Sequence, residues 1–272
     1  MFATRVLLVA GAELPPGSPC VATLGDLLKM DALPATLRAE VLKTLAIVSP
    51  ASARRPALNA LGDHDAQMRA TAATVFARPG GGRPTLYRLQ PLVNDPALEV
   101  RTAVAAGLIR ASGDLAIDYL MPLMKSREPE PLVAMAPELG RQTSAGTLDL
   151  LLKMQKRNDP MLRVPVLAAL SERTDAAGRA VYQPLAAAVK KDPYASPETR
   201  RIVYASADVK ELVPLMKDPT LGLQGFKALL RAQRHAEAMD WLVGSFDRLP
   251  PEVLIDALGA WLANPPAHAA SK

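Results

Sequence analysis

With 272 residues, 49% of them apolar and only 4% aromatic, the chain can bury a large core, and its small and aliphatic side chains suit helix-on-helix packing rather than a β-sandwich. Its net charge of +5 is spread out, with 14 basic and 12 acidic groups in residues 1–136 and 18 and 15 in residues 137–272, so no basic arm marks it as a nucleic-acid binder. Cys20 is the only cysteine, which excludes an intrachain disulfide and CxxC metal sites.

A period then organises the whole chain. Acidic residues recur at Asp31, Asp63, Asp95, Glu128, Asp159, Asp192 and Asp218, with gaps of 32, 32, 33, 31, 33 and 26 residues. A repeat of this length means one supersecondary unit stacked on copies of itself. The clearest copy runs from Leu89-Gln90-Pro91-Leu92 through Asn94-Asp95-Pro96 to Val100-Arg101.

In chain order, Met1–Ala12 can be a short signal peptide with an Ala10-x-Ala12 cleavage site. The spacing of Arg5, Arg38, Arg69 and Arg101 (33, 31 and 32 residues) favours another reading, in which residues 1–12 are the second helix of a truncated unit. The array would then begin mid-unit, so that either the chain is a fragment of a longer protein or its start is misplaced. Eight units follow, at 21–48, 55–78, 84–111, 114–141, 144–172, 175–206, 207–232 and 234–263. The last contains the helix Pro250–Leu262, stopped by Asn264-Pro265-Pro266. Residues 267–272 are expected to be a frayed tail.

Each unit reads as two helices. The first carries apolar pairs three apart, at Leu89 and Leu92, Leu120 and Leu123, and Leu212 and Leu215, which share a helix face. Lysines follow at Lys125, Lys156, Lys190, Lys191 and Lys217, where the negative end of the helix dipole favours them. A break comes next at Asp95-Pro96, Asp159-Pro160, Asp192-Pro193 and Asp218-Pro219. Asp as N-cap with Pro at the first helical position would start the second helix there. That helix is rich in alanine, as in Arg101-Thr102-Ala103-Val104-Ala105-Ala106-Gly107-Leu108, which allows a tightly packed inner layer. Prolines at Pro91, Pro122, Pro184 and Pro214 share one register in the first helices. They predict a kink, the alternative being a late helix start.

Leu-x-Pro-Leu, Asp-Pro, Val-Arg and an Ala-rich helix together resemble the HEAT-repeat family, most of all its short bacterial units. Residues 84–111 carry the likeness best, and the units around Glu128 and Asp192 carry it poorly. The resemblance implies an all-α fold, a right-handed α-solenoid of about eight antiparallel helix pairs. It also implies a structural ladder of acid and arginine, carried by Asp63 and Arg69, Asp95 and Arg101, and Asp31 and Arg38, whose members bond within and between neighbouring repeats. Val133 and Ala134 stand where the unit of Glu128 should have its arginine, so the ladder is expected to break there.

No catalytic constellation stands out. His64, His235 and His268 form no HExxH or HxxxH pair, so no metal site is suggested. Asp63-His64-Asp65 falls on a turn where polar residues are ordinary. Gly80-Gly81-Gly82 is followed by no Gly-Lys-Ser/Thr, and Ser144-Ala145-Gly146 lacks the flanks of a nucleophile elbow. Cys20 is expected to be a half-buried packing residue. No cofactor is called for. No apolar run approaches the ~20 residues that span a bilayer.

Stacked repeats present long concave surfaces that bind extended partners. The expected function is therefore a non-catalytic scaffold or adaptor for another protein or peptide. It is expected in the cytoplasm, with export left open by the signal-peptide reading. On the second helices, Glu40, Lys43, Thr71, Thr74, Thr102 and Ala105 are expected to face the groove, and Val41, Val100, Val104 and Leu108 the core. The scarcity of Lys and Arg at those groove positions makes nucleic acid an unlikely partner. The alternatives are a HEAT-like DNA glycosylase, with Asp240, Trp241 and Trp261 as its candidate groups, or a protein like the phycobilisome lyases.

Overall fold

The computed structural model describes residues 14–30, 32–205, 207, 209–218 and 221–264. Among them every regular element is a helix and there is no strand. The lone helix at 1–12, the acid Asp31, and the tail lie outside the described residues. By the density of internal contacts the chain divides into two compact units, residues 1–179 and 180–272.

In the first unit the helices are α1 (Pro19–Leu27), α2 (Ala35–Val48), α3 (Pro50–Ala60), α4 (Ala66–Phe76), α5 (Gly82–Leu89), α6 (Leu98–Ser112), α7 (Ile117–Lys125), α8 (Glu130–Gly140), α9 (Ala145–Lys156) and α10 (Pro160–Glu172). Short 3-10 turns at Gln90–Asn94 and Gly113–Ala116 follow α5 and precede α7. The even-numbered helices form one packed row, α2 on α4, α4 on α6, α6 on α8 and α8 on α10. Each odd-numbered helix packs on the even-numbered helix that follows it.

Side-chain size sets the spacing of the even row. Its core is Leu42 and Leu45, Met68 and Ala72, Val104 and Leu108, Met135 and Leu139, and Val166 and Leu170, all buried. Each fully buried aliphatic side chain contributes about 1.5–3 kcal/mol. Two glycines mark the closest approaches. A Cβ on Gly107 of α6 would meet the Ala77 Cβ at 2.7 Å, and one on Gly140 of α8 would meet the Ala169 carbonyl oxygen of α10 at 2.7 Å.

The helix starts depart from the Asp-Pro rule at most positions. Asp159 caps α10 as expected, accepting from Met161 N at 2.9 Å with Pro160 at the first position. Asp95 does not cap α6; Ala97 holds that position, and the Asp95 carboxylate instead accepts from Ala97 N at 2.9 Å, tightening the turn before the helix. Asp65 rather than Asp63 caps α4, and Ser144 caps α9. After Asp192-Pro193 the next helix waits until Pro197, where Ser196 is the cap. The four prolines divide as well. Pro91 and Pro214 sit in 3-10 turns, whereas Pro122 and Pro184 lie inside α-helices. At the first two sites the backbone takes tighter i→i+3 bonds, so the ring costs no α-helical bond.

The second unit begins within α11 (Ala176–Lys191) and continues with α12 (Pro197–Tyr204), α13 (Val209–Leu212), a 3-10 turn at Val213–Leu215, α14 (Gly222–Arg231), α15 (His235–Ser245) and α16 (Pro251–Ala263). Its core gathers Phe226, Leu229, Leu230, Ala238, Leu242 and Ala257, with both tryptophans packed against it. Trp241 stacks tilted on Phe226 with ring centres 5.3 Å apart and donates its Nε1–H to the Met216 carbonyl at 3.0 Å. Trp261 meets His235 edge to face. No helix among the described residues is long and apolar enough to cross a membrane.

Candidate functional site

Of the charged residues singled out by the period, Asp63, Asp95 and Glu128 sit on the turns between helices, and Arg38, Arg69 and Arg101 in the first turns of α2, α4 and α6. Arg38 Nη1 donates to Asp63 Oδ2 at 2.9 Å. Arg69 grips Asp95 with two parallel bonds of 2.8 Å, Nε to Oδ2 and Nη2 to Oδ1. Arg101 Nη2 bonds Glu128. Each arginine thus reaches the acid of the next turn rather than its own. Its remaining Nη1 goes to the carbonyls of its own turn, Asp63 and His64 for Arg69, and Asp95 and Pro96 for Arg101.

Within a unit, Arg69 and Arg101 meet the backbone carbonyls of Asp63 and Asp95 and not their carboxylates, while the carboxylate bonds run between neighbouring units. The reason is local: each aspartate turns one oxygen to its own backbone, Asp63 to Asp65 N and Asp95 to Ala97 N. The carboxylate then faces the preceding arginine. Asp95 is held below the usual carboxylate range, chiefly by the Arg69 hydrogen bonds, against the opposing effect of burial. For Asp63, burial pushes upward, but the Asp65 N–H and Arg38 outweigh it and the net direction is downward.

The expected break at Val133 and Ala134 has a definite form. Glu128 still accepts from Arg101, so the acid side of that rung is kept. The missing arginine is replaced from the other direction. Arg157, at the end of α9, donates to the Met124 and Ser126 carbonyls at 2.9 Å each. A second arginine escaped the sequence reading altogether. Arg173, 3% exposed, binds the Leu139 and Ser144 carbonyls, the Thr147 hydroxyl and the Asp175 carboxylate. It closes a second periodic series, Arg78, Arg110, Arg141 and Arg173 at spacings of 32, 31 and 32 residues, the signal by which spacing could have found it. In the second unit Arg200 pairs with Asp218 at 2.6 Å.

An open groove of about 490 Å³ runs over α4, α6 and α8. Helix α6 supplies Leu98, Glu99, Thr102, Ala103, Ala106 and Arg110, while Thr74 comes from α4 and Glu130 and Ala134 from α8. On α6 the positions 99, 102, 103, 106 and 110 recur at three- and four-residue spacing, one helix face. Two of the six expected groove residues, Thr74 and Thr102, are here. Glu40 and Lys43 are exposed on α2, paired with each other at 2.7 Å, and do not line this groove. Thr71 and Ala105 are buried, at 6% and 0% exposure, which corrects their assignment to the open face. Ala105 sits about 100° around α6 from Ala106, on a flank that adjacent helices cover. Tight helix spacing leaves the open strip narrower than the non-apolar arc suggested. Of the expected core positions, Val100, Val104 and Leu108 are fully buried and Val41 is half-buried.

The groove is mostly small and apolar, with three charges. Arg110 is already held, its Nε and Nη2 donating to Glu138 Oε1 at 2.9 and 2.6 Å. Glu130 lies at the first position of α8, and its Oε2 is buried with no hydrogen-bond partner.

The second unit has its own cavity, about 430 Å³, lined by Tyr182, Gln183, Ala186, Lys190, Val203 and Glu211 among others. Lys190 pairs with Glu211 at 2.7 Å and lies over the Tyr204 ring at 5.3 Å. The Tyr182 hydroxyl is buried without a partner. Burial pushes its pKa up, opposed by Lys190.

Among the described residues no three His, Cys, Asp or Glu side chains cluster as metal ligands. His64 is an exposed turn residue, and the imidazole of His235 bonds the Asn264 carbonyl. Cys20 is exposed on α1, which corrects its expected half-burial. Of the glycosylase candidates, Asp240 is exposed, while Trp241 and Trp261 pack on the core of the second unit. No protein-family model matches the chain, and no curated protein matches it significantly.

Proposed function

We propose that the protein is a non-catalytic scaffold of the HEAT-like kind, a right-handed α-solenoid of about eight antiparallel helix pairs whose second helices line a concave, protein-binding face. The packed row of α2, α4, α6, α8 and α10, with arginine–carboxylate rungs from α2 as far as the turn before α8, supports that arrangement. The groove over α4, α6 and α8 carries the functional part of the reading. It is open, walled by alanine and threonine, and rimmed by charge, which suits an extended peptide or protein. Its only lining arginine is paired with Glu138, and two glutamates stand beside it, a poor match for a phosphate backbone. A cytoplasmic setting goes with this reading.

The test is a displayed peptide library panned against the parent protein and against Ala106→Leu, which narrows the groove. Selected peptides should bind the parent and lose most of their affinity for the variant. Selection that is blind to Ala106→Leu, or retention of DNA that weakens steeply with salt, would replace the peptide scaffold with another reading.

A further inference from the structure

We propose that the face of α15 and α16 turned away from α14 docks an amphipathic helix of another protein, one whose aliphatic stripe is flanked by lysine or arginine. This surface shares no residue with the groove over α4, α6 and α8, and it stands whether or not that groove binds a peptide.

Five of the twelve large hydrophobic side chains exposed among the described residues fall between residues 243 and 262: Val243 on α15, Phe246 just after it, and Ile255, Leu258 and Leu262 on α16, each 43–78% exposed. Both helices turn other residues to α14. Trp241 of α15 stacks on Phe226, and Ala260 of α16 borders Lys227 and Arg231. Val243 is two residues from Trp241, and Leu258 and Leu262 are each two residues from Ala260, about 200° round their helices. They therefore point away from α14. Ile255, three residues before Leu258, shares its face.

The same positions receive a helix elsewhere in the chain. Counted from the first residue of each helix, Leu258 and Leu262 stand where Ala73 and Ala77 stand in and just after α4, and where Ala105 and Ile109 stand in α6; all four of those are buried. Beside α4 it is α6 that covers them, since a Cβ on Gly107 would meet the Ala77 Cβ at 2.7 Å and the Ala73 carbonyl oxygen at 3.6 Å. On α16 two larger leucines stand there uncovered. A concentrated apolar face rimmed by charge marks a contact surface, and the shape that fits this one is a helix packed alongside.

The rim decides the partner's charge. Asp240 lies one turn before Val243, Asp247 follows Phe246, Glu252 lies one turn before Ile255, and Asp256 follows it. All four are exposed, and none is in an ion pair among the described residues. Residues 235–264 hold five acids against one base, Arg248, in a chain whose net charge is +5. Basic residues flanking the stripe of an incoming helix would meet these carboxylates. An anionic helix would be repelled, and the same face of a second copy would set acid against acid.

Two fluorescein-labelled helical peptides with the same leucine stripe, one with lysine and one with glutamate at the remaining positions, are titrated against the full chain by fluorescence anisotropy. The lysine peptide should bind, with affinity falling as salt rises, and the glutamate peptide should not. Leu262→Asp should weaken the lysine peptide about tenfold although it adds negative charge, and Ile255→Asp should do the same; attraction by charge alone would grow in both. The double variant Glu252→Gln, Asp256→Asn should lose a smaller factor, and Ala106→Leu should bind like the parent. Circular dichroism of each variant verifies the helical fold. Equal binding of the two peptides, or unchanged or tighter binding by both aspartate variants, would overturn the proposal. Loss of binding in Ala106→Leu would also overturn it, by moving the peptide to the groove and leaving the scaffold standing. So would a parent dimer in sedimentation that Leu262→Asp returns to monomer, which would give the face to a second copy.

Discussion

Arg69 and Asp95 are joined by two hydrogen bonds of 2.8 Å across consecutive inter-helix turns, with 14% and 5% of their side chains exposed. The same arginine holds two carbonyls of its own turn, so one guanidinium ties α4 to the turn ahead of α6. Removing the acid leaves a largely buried cation with only the carbonyls of its own turn and no counter-charge across the gap. Asp95→Ala should therefore cost about 3 kcal/mol, more than the roughly 1 kcal/mol of a lost cap. Chemical denaturation of Asp95→Ala and Asp95→Asn measures this. An alanine variant within 1 kcal/mol of the parent would show that the rung is ornamental.

The depressed carboxylates make acid a selective denaturant. Asp63, Asp95 and Asp175 all lie below the ordinary aspartate value of 3.8, the last chiefly through the Gly178 N–H, with Arg173 adding to it. A carboxylate that binds its proton more weakly when folded stabilises the fold wherever it is ionised. Its contribution is complete above about pH 3.8 and disappears as pH falls through the lower folded values. Melting temperature should be flat from pH 7 to 5 and drop steeply below 4. Asp95→Asn should start lower and fall less steeply. Parallel curves for parent and variant would show that the Asp95 titration is not coupled to folding.

Gly140 lies so close to α10 that an added methyl would sit 2.7 Å from the Ala169 carbonyl oxygen and 2.8 Å from its Cα. Backbone cannot swing aside as a side chain can. Gly140→Ala should lose about 1–3 kcal/mol despite alanine's better helix propensity. Gly259, with open space around its Cα, is the control: Gly259→Ala should gain up to about 1 kcal/mol. Equal effects at the two sites would argue against the close contact of α8 and α10.

The Tyr182 hydroxyl is buried and bonds nothing. Deleting it removes a desolvated polar atom without breaking a bond, so Tyr182→Phe should be neutral or stabilising by up to about 1 kcal/mol. Thermal melts decide it. A loss of 1 kcal/mol or more would mean that the hydroxyl has a partner in solution.

The sequence by itself determined the helical class, because apolar spacing of three and four builds a face from near neighbours along the chain. The acids and arginines of the ladder stand out by their recurrence at about 32 residues and by the likeness of that pattern to HEAT repeats, not through proline, which lies inside α-helices at Pro122 and Pro184. Arg38, Arg69, Arg101, Asp63 and Asp95 were legible on those grounds, as were Thr74 and Thr102 as open positions. Tertiary structure alone decided who pairs with whom. A guanidinium can reach an acid 6 residues back or 26 ahead, and only helix stacking, together with the turn's claim on each aspartate, selects the second. It also decided which non-apolar positions stay open. The approach of small residues at Gly107 and Gly140 closes the helices enough to bury Thr71 and Ala105. Arg157 and Arg173 bond carbonyls of other helices, and Glu130 is left with an unanswered carboxylate oxygen; Arg173 continues a series with Arg78, Arg110 and Arg141, but spacing does not say which carbonyls such a series meets.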